Sequence, residues 1–290
     1  MDRRVICTNA EGAGLEFNSR IVTPYLLNKV EGIYSNNIDV ATSQNTMLDG
    51  STYIGSVARM RNIVLYLTES GVHRENRDML YKLFRKGVPG VFRYIEEEED
   101  RSIAYYVESV EIDSMFSGRS VVVSLLCPDP YFYDASENRV DMAIWEGQFE
   151  FVHEFLEGGE EMGTKRGEKL KAIENPTTEP TGVTFSLTAD GPVTNPYIYC
   201  VESDTTIQVG YTGKTFSMSA GDQLIISTQT GAKNVYLVSG GVQTSVNEYV
   251  TEDSEFLQLQ PGTNTIRFGA ASGEDYLQCS LFFRYRYAGC

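Results

Sequence analysis

The sequence predicts a mainly β protein with one short helix, divided into two domains. At 290 residues the chain is long for a single hydrophobic core, so two domains are expected. The longest apolar run, Val121 to Cys127, is short and rich in β-branched residues, which is typical of a buried strand. Beyond Asn175, short alternating apolar and polar stretches are separated by Gly, Pro, Asn and Asp, which indicates an antiparallel sandwich.

The first half of the chain shows strand patterns around one helix. Arg74 to Lys86 carries apolar residues at helical spacing, acidic residues early and basic residues late, and Gly87 and Pro89 end it. Tyr53 to Leu67 alternates like one long strand whose environment changes partway. The acidic run from Glu96 to Asp100 is too polar to bury and is predicted to be a hairpin tip.

The end of the longest apolar run is predicted to be the junction between the domains. Proline cannot donate a hydrogen bond to a sheet, so the two prolines end the strand and hold the chain extended. The aromatic residues that follow are expected to pack this exit against the structure beneath it. The predicted junction residues are Cys127, Pro128, Pro130, Tyr131 and Tyr133.

The segment between the two halves is less regular. Phe149, Phe151 and Phe155 alternate as in a strand, whereas Glu157 to Lys171 is charged and glycine-rich and is predicted to be a mobile loop. The predicted domains are therefore an N-terminal β domain at 1–135, a connecting segment at 136–175 and a C-terminal β-sandwich at 176–290.

The strongly acidic composition excludes two classes of partner. A net charge of −16 and a pI near 4.6 argue against sequence-specific nucleic-acid binding and against an anionic membrane surface. An acidic surface still allows DNA to pass without being held. The sequence shows no signal peptide and no apolar run near the ~20 residues of a membrane span. The 5 widely spaced cysteines, with no CxxC pair, indicate reduced thiols in a protein made in a cytoplasm.

Motifs for catalysis or cofactor binding do not stand out. His73 and His153 are the only histidines, which leaves little for a histidine-built metal site or a catalytic triad. The Gly213-Lys214-Thr215 triplet lacks the earlier glycine and the following helix of a P-loop. The sequence therefore predicts no metal, no cofactor and no enzymatic activity.

Several stretches in order along the chain resemble one known family. They are LNKVEGIY from Leu27, LDGSTYIG from Leu48, CPDPYFYD from Cys127 and LQPGTNTIRF, which ends at Phe268. Together they are similar to the distal tail proteins of phages, the siphovirus-type tail component family.

This resemblance implies a fold and a function. It implies an N-terminal, barrel-like or split-barrel ring domain with one short helix, followed by a galectin-like jelly-roll sandwich. It also implies a hexameric ring at the virion tail tip, assembled in the host cytoplasm. Such a ring joins the tail tube protein to the baseplate hub or tape measure protein, lets DNA or the tape measure pass, and carries a receptor-binding protein.

Two further interpretations remain open. The sandwich half also fits a carbohydrate-binding adhesin, because tyrosine faces stack on sugars, although that half has no tryptophan. A cell-wall hydrolase is a third and weaker hypothesis. Arg59 and Arg61 alternate on one predicted strand face and are candidate subunit contacts, with a solvated face as the alternative interpretation.

Overall fold

The computed structural model describes residues 3–20, 24–44, 49–97, 99–113, 119–147, 163–167 and 169–290. The chain forms two compact units, one of Met1–Ala135 with Arg286–Cys290 and the other of Ser136–Tyr285. The final residues of the sequence thus belong to the first unit. The mainly β fold class predicted from the sequence is confirmed, with a barrel in one unit and a sandwich in the other.

The elements of the first unit precede those of the second along the chain, except for the final strand. They are β1 (Arg3–Asn9), β2 (Gly14–Asn18), β3 (Tyr25–Glu31), β4 (Ile38–Ser43), β5 (Thr52–Ala58), β6 (Arg61–Glu69), α1 (His73–Leu83), β7 (Gly90–Glu96), β8 (Glu99–Ile112), β9 (Arg119–Cys127) and β10 (Phe132–Asp134). The predicted hairpin tip at the acidic run lies between β7 and β8.

The elements of the second unit are mostly short strands. They are β11 (Asn138–Asp141), β12 (Ala143–Gly147), β13 (Gly163–Gly167), β14 (Leu170–Asn175), β15 (Thr181–Ala189), β16 (Val193–Cys200), β17 (Thr205–Gln208), β18 (Ser217–Met218), β19 (Gln223–Ser227), β20 (Asn234–Ser239), β21 (Val242–Ser245), β22 (Gln258–Leu259), β23 (Gly262–Ser272) and β24 (Leu277–Phe283), with 3-10 turns at Asn247–Tyr249 and Glu274–Tyr276. The last strand, β25 (Arg286–Tyr287), returns to the first unit.

Seven strands of the first unit close into a barrel. They follow the order β8-β7-β1-β2-β3-β6-β9, and β9 pairs back to β8. Alternate side chains of β6 and β9, such as Leu65 and Val123, are fully buried, which is the period expected of a barrel with a filled interior. β10 pairs with the first half of β8, at Arg101 and Ser102, and β25 pairs with β10.

The helix of the first unit packs on the barrel core. Leu80, Leu83 and Phe84 belong to the same buried cluster as the barrel interior, and the Phe84 ring stacks on Phe17 with 6.3 Å between ring centroids. The side-chain amide of Asn9 donates to two carbonyls in the last turn of α1, at 3.0 Å each. These bonds satisfy helix-end carbonyls that have no partner within the helix.

The second unit is a β-sandwich. One sheet runs β11-β24-β15-β19-β20-β21 with β22 on β15, and the other runs β14-β23-β16-β17 with β18 on β16. Phe185 and Ile226 of the first sheet share one buried cluster with Ile198 and Phe268 of the second. The two inner faces therefore form a common core, as in aligned sandwiches.

Three elements differ from the sequence predictions. The long strand predicted for Tyr53 to Leu67 is two strands, β5 and β6, separated at Arg59 and Met60. Within the loop predicted for Glu157 to Lys171, the described residues form β13 and the start of β14, because β13 pairs with β12 and β14 pairs with β23. The strand predicted around Phe149, Phe151 and Phe155 lies outside the described residues.

Candidate assembly interface

A hairpin of the first unit, β4 with β5, stands apart from the barrel sheet. Its strands form a separate two-stranded sheet, and across the described residues they pair only with each other. Isolated two-stranded hairpins are at best marginally stable in water and need packing against something else. We call this hairpin, residues 38–58, the arm.

The arm exposes apolar side chains on both of its faces. Ile38 and Val40 point to one face, and Val57, which lies opposite Asp39, points to the other. With Tyr53 and Ile54 these five side chains are 57–67% exposed. Exposed apolar side chains concentrated on one element are typical of interaction sites in soluble proteins. The arm is therefore the strongest candidate for an assembly surface in the first unit.

The composition of the arm adds to this interpretation. Asp39 and Asp49 are its only charged residues, and it contains no lysine or arginine. Both edge strands also leave main-chain groups open to another chain. The sequence alone predicted a strand from Tyr53 onwards, but alternation does not say whether an apolar face is covered. That is why the arm was missed as a site.

The two predicted contact arginines occupy different environments. Arg59 follows the arm, is exposed and pairs with the carboxylate of Asp39. Arg61 begins β6 and is 2% exposed. The interpretation that both lie on one open strand face is therefore corrected, because the chain breaks strand pairing between β5 and β6. Arg59 as a subunit contact stays a prediction.

Arg61 holds together distant parts of the first unit. Its guanidinium donates to the carbonyls of Pro130 at 2.6 Å, Gly32 at 2.6 Å, Ser35 at 2.8 Å and Ile33 at 3.2 Å, and to that of Ala288. Burial lowers the pKa of this guanidinium from its ordinary value. Arg61 thereby fixes the base of the arm and the returning chain end on the barrel.

The predicted junction residues pack within the first unit. Cys127 is the buried last residue of β9, and burial raises the pKa of its thiol to about 12. Tyr133 donates its hydroxyl to Asp129 at 2.6 Å, and the Tyr131 ring lies under the guanidinium of Arg286 at 3.6 Å. The aromatic exit therefore packs on the barrel and on the returning chain end. Its role as the domain junction stays a prediction.

The described residues contain neither a cluster of metal ligands nor a helix suited to span a membrane. Within the part of the chain that the structure describes, no three His, Cys, Asp or Glu side chains are grouped to hold a metal ion. No helix in the described ranges has the length and apolar character required to cross a bilayer. His73 contacts the carboxylate of Glu69 at 2.8 Å at the start of α1.

The chain combines a β-barrel that carries an exposed apolar arm with a β-sandwich, and both parts have counterparts among known proteins. Residues 176–287 match the family model described as the siphovirus-type tail component, C-terminal domain. Residues 176–287 of this chain are therefore similar to the C-terminal domain of the siphovirus-type tail components.

Solved structures share the fold of the whole chain. The Dit protein of phage SPP1, described as a paradigm of the hub adsorption apparatus in phages that infect Gram-positive bacteria, aligns with a TM-score of 0.68 at 12% identity, covering 98% of this chain and 99% of that one. Chains of the phage p2 baseplate in its activated conformation align with TM-scores of 0.57 with calcium, at 10% identity, and 0.55 with strontium, at 9% identity, each covering 100% of both chains.

These comparisons confirm the resemblance to distal tail proteins. At such low identities the structural likenesses show the shared fold, and the family match covers residues 176–287 of the sandwich. A search of curated proteins returns no match.

Proposed function

We propose that this protein is the hub subunit of a phage tail tip, assembling as a hexameric ring through its first unit. The observation that carries the proposal is the arm, whose apolar side chains are 57–67% exposed in the single chain. Burying an apolar side chain of this size contributes roughly 1.5–3 kcal/mol, so a neighbour that covers several of them gains a large association energy.

The ring joins the tail tube protein to the baseplate hub or tape measure protein, and its bore lets DNA or the tape measure pass. The net charge of −16 supports this role, because an acidic bore repels phosphates and does not retain DNA. In the assembled virion the sandwich of the second unit, Ser136–Tyr285, carries a receptor-binding protein. Assembly takes place in the host cytoplasm, where the thiols stay reduced.

The arm gives a direct test of this proposal. We expect the Ile54→Asp, Val57→Asp double variant to stay monomeric at concentrations where the wild-type chain forms a ring, because both positions are highly exposed and the change adds charge only to the arm. Val242→Asp is a matched control, since Val242 is equally exposed but lies in the sandwich. Assembly is measured by light scattering. Rings formed equally well by the double variant would contradict the role of the arm.

A second candidate function is glycan binding by the sandwich. The observation that favours it is the outer face of the five-stranded sheet, where the Tyr197 phenol lies directly over Gly269 and Tyr199 is its neighbour on β16. Both tyrosines are half-buried, and a tyrosine ring with one open face suits sugar stacking. A glycan array with the full chain tests this function. Binding that disappears in Tyr197→Ser would support it, and an array without signal would remove it.

A further inference from the structure

The segment that follows the sandwich returns to the first unit. Residues Arg286–Cys290 belong to that unit, although β24, which comes just before them, is an inner strand of a sandwich sheet. β25 forms only two residue pairs with β10, and so short a pairing is marginal in water without other contacts. Side chains of the barrel must therefore supply most of the hold. We call Arg286–Cys290 the returning segment.

The barrel binds the main chain of three consecutive residues in the returning segment. The three bonds run from the Arg61 guanidinium to the carbonyl of Ala288, from the Arg101 guanidinium to the carbonyl of Gly289 at 2.6 Å, and from the amide of Cys290 to the carbonyl of Ile33 at 3.2 Å. Hydrogen bonds from a charged donor are roughly twice as strong as those between neutral groups. Two such bonds on adjacent carbonyls fix the path of this segment on the barrel.

The side chains of the returning segment are recognised as well. The Arg101 guanidinium lies 3.9 Å from the centre of the Tyr287 ring, and the Arg286 guanidinium lies 3.6 Å from the centre of the Tyr131 ring. A cation over an aromatic face is attracted by the ring electrons. At Gly289 a Cβ would lie 3.2 Å from a main-chain oxygen of the barrel, which disfavours a side chain there. The site thus fits an Arg-Tyr-Ala-Gly sequence.

The same site holds the base of the arm. Ile33, which accepts the bond from Cys290, lies shortly before the arm begins. Arg61 donates to the carbonyl of Ser35 at 2.8 Å as well as to that of Ala288. One buried guanidinium therefore bridges the residues that lead into the arm and the returning segment. Loss of the returning segment removes a partner from Arg61 and another from Ile33, so the base of the arm is expected to loosen.

We propose that residues 286–290 are a latch on the first unit, which sets the base of the arm when it is seated. The latch follows the sandwich in the sequence, so the arm becomes fixed only after the second unit, Ser136–Tyr285, has been synthesised. A chain interrupted within the sandwich carries a loose arm and joins a ring poorly. The assembly step of this inference rests on the proposed ring function, whereas the latch and its effect on the arm do not.

Supplying the latch as a separate peptide tests this inference. A chain that ends at Tyr285 lacks the latch but keeps the whole second unit. We expect it to bind a fluorescent peptide of residues 284–290 roughly 30-fold more tightly than the full chain does, because a tethered latch competes at a high effective concentration. The same peptide with Gly289→Val is expected not to bind, since the site leaves little room for a Cβ.

Hydrogen exchange reports the effect on the arm. In the full chain the arm strands pair with each other, and the amide of Arg59 donates to the carbonyl of Asn37 at 2.8 Å. Without the latch we expect amides of residues 38–59 to exchange roughly 10-fold faster, while those of β15 and β19 in the sandwich do not change. Adding the peptide is expected to restore the slow exchange. The concentration for half-assembly is expected to rise without the latch and to fall again with the peptide.

A point variant guards against misfolding of the shortened chain. Arg101→Gln removes the bond to Gly289 and the contact with the Tyr287 ring, and is expected to speed exchange in the arm by a smaller factor. Arg93→Gln is the matched control on the neighbouring strand β7, because the Arg93 guanidinium pairs with Asp100 instead.

Two results would overturn the latch. One is arm exchange that is the same in the full, shortened and Arg101→Gln chains, and the other is a shortened chain that does not bind the peptide. A full chain that never self-associates, while exchange in its arm still depends on the latch, would overturn the ring function and leave the latch standing.

Discussion

Replacing Arg61 with methionine is expected to destabilise the first unit strongly. Methionine keeps much of the stem volume but donates no hydrogen bond. Of the five carbonyls that accept from Arg61, those of Pro130 and Ile33 lie in fully buried contacts, and the other three are partly buried and open to water. An unpaired buried polar group costs about 1–3 kcal/mol, so two of them cost roughly 2–6 kcal/mol.

The middle of this range, about 4 kcal/mol, is a large fraction of the roughly 5–15 kcal/mol free energy of unfolding of a typical domain. Because the free energy of unfolding falls by about 2 kcal/mol per M urea, the variant is expected to unfold at a urea concentration lower by roughly 2 M. Because the chain has two units, hydrogen exchange followed by mass spectrometry separates them. Peptides from β6 and β9 report the first unit, and peptides from β15 and β24 report the second.

Arg59→Met is the matched control, since the Arg59 side chain is exposed and pairs with the carboxylate of Asp39. Exposed ion pairs contribute at most about 1 kcal/mol, so this variant is expected to behave almost like the wild type. Equal urea midpoints for the Arg61→Met and Arg59→Met variants would refute the reasoning. A loss of protection confined to β15 and β24 would refute it as well.

The remaining predictions concern acid stability and one tight turn. Because Arg3 holds the pKa of Glu96 below its usual range, Glu96 stabilises the first unit above the ordinary glutamate pKa of about 4.3, and this contribution is lost as the pH falls further. In urea unfolding from pH 6 to 3, Glu96→Gln is therefore expected to flatten the acid side of the profile, and an unchanged profile would contradict this. Gly32 and Gly50 both have positive φ angles, 84° and 94°, but only a Cβ at Gly32 would overlap the carbonyl of Asn62. Gly32→Ala is expected to cost roughly 2–5 kcal/mol and Gly50→Ala about 1–2 kcal/mol in thermal unfolding, and equal costs would count against the steric argument.

The sequence was sufficient for elements with a strong local signal. The β-branched run of β9 and its proline end predicted the strand from Arg119 to Cys127 almost to the residue. The helix was predicted from the spacing of its apolar residues and from the glycine and proline that follow it. In the structure it ends at Leu83, because Phe84 turns into the barrel core. In these places local preference and tertiary packing agree.

The features that the sequence did not predict depend on contacts between segments that are far apart in the chain. The alternation of β24 continues through Tyr287 in the sequence, yet the chain leaves the sandwich after Phe283 and its last strand pairs with β10. Nothing local distinguishes Arg61 from Arg59, because the carbonyls that bury Arg61 come from segments far apart in the sequence, from Gly32 to Ala288.

The mass of the native particle tests the central claim most directly. Light scattering of the full chain at two concentrations, with electron microscopy of the same samples, reports both stoichiometry and shape. The account predicts a ring near six times 32.4 kDa, growing with concentration at the expense of single chains. A monomer at both concentrations, with no rings in the images even when the tail tube protein is added, would contradict it.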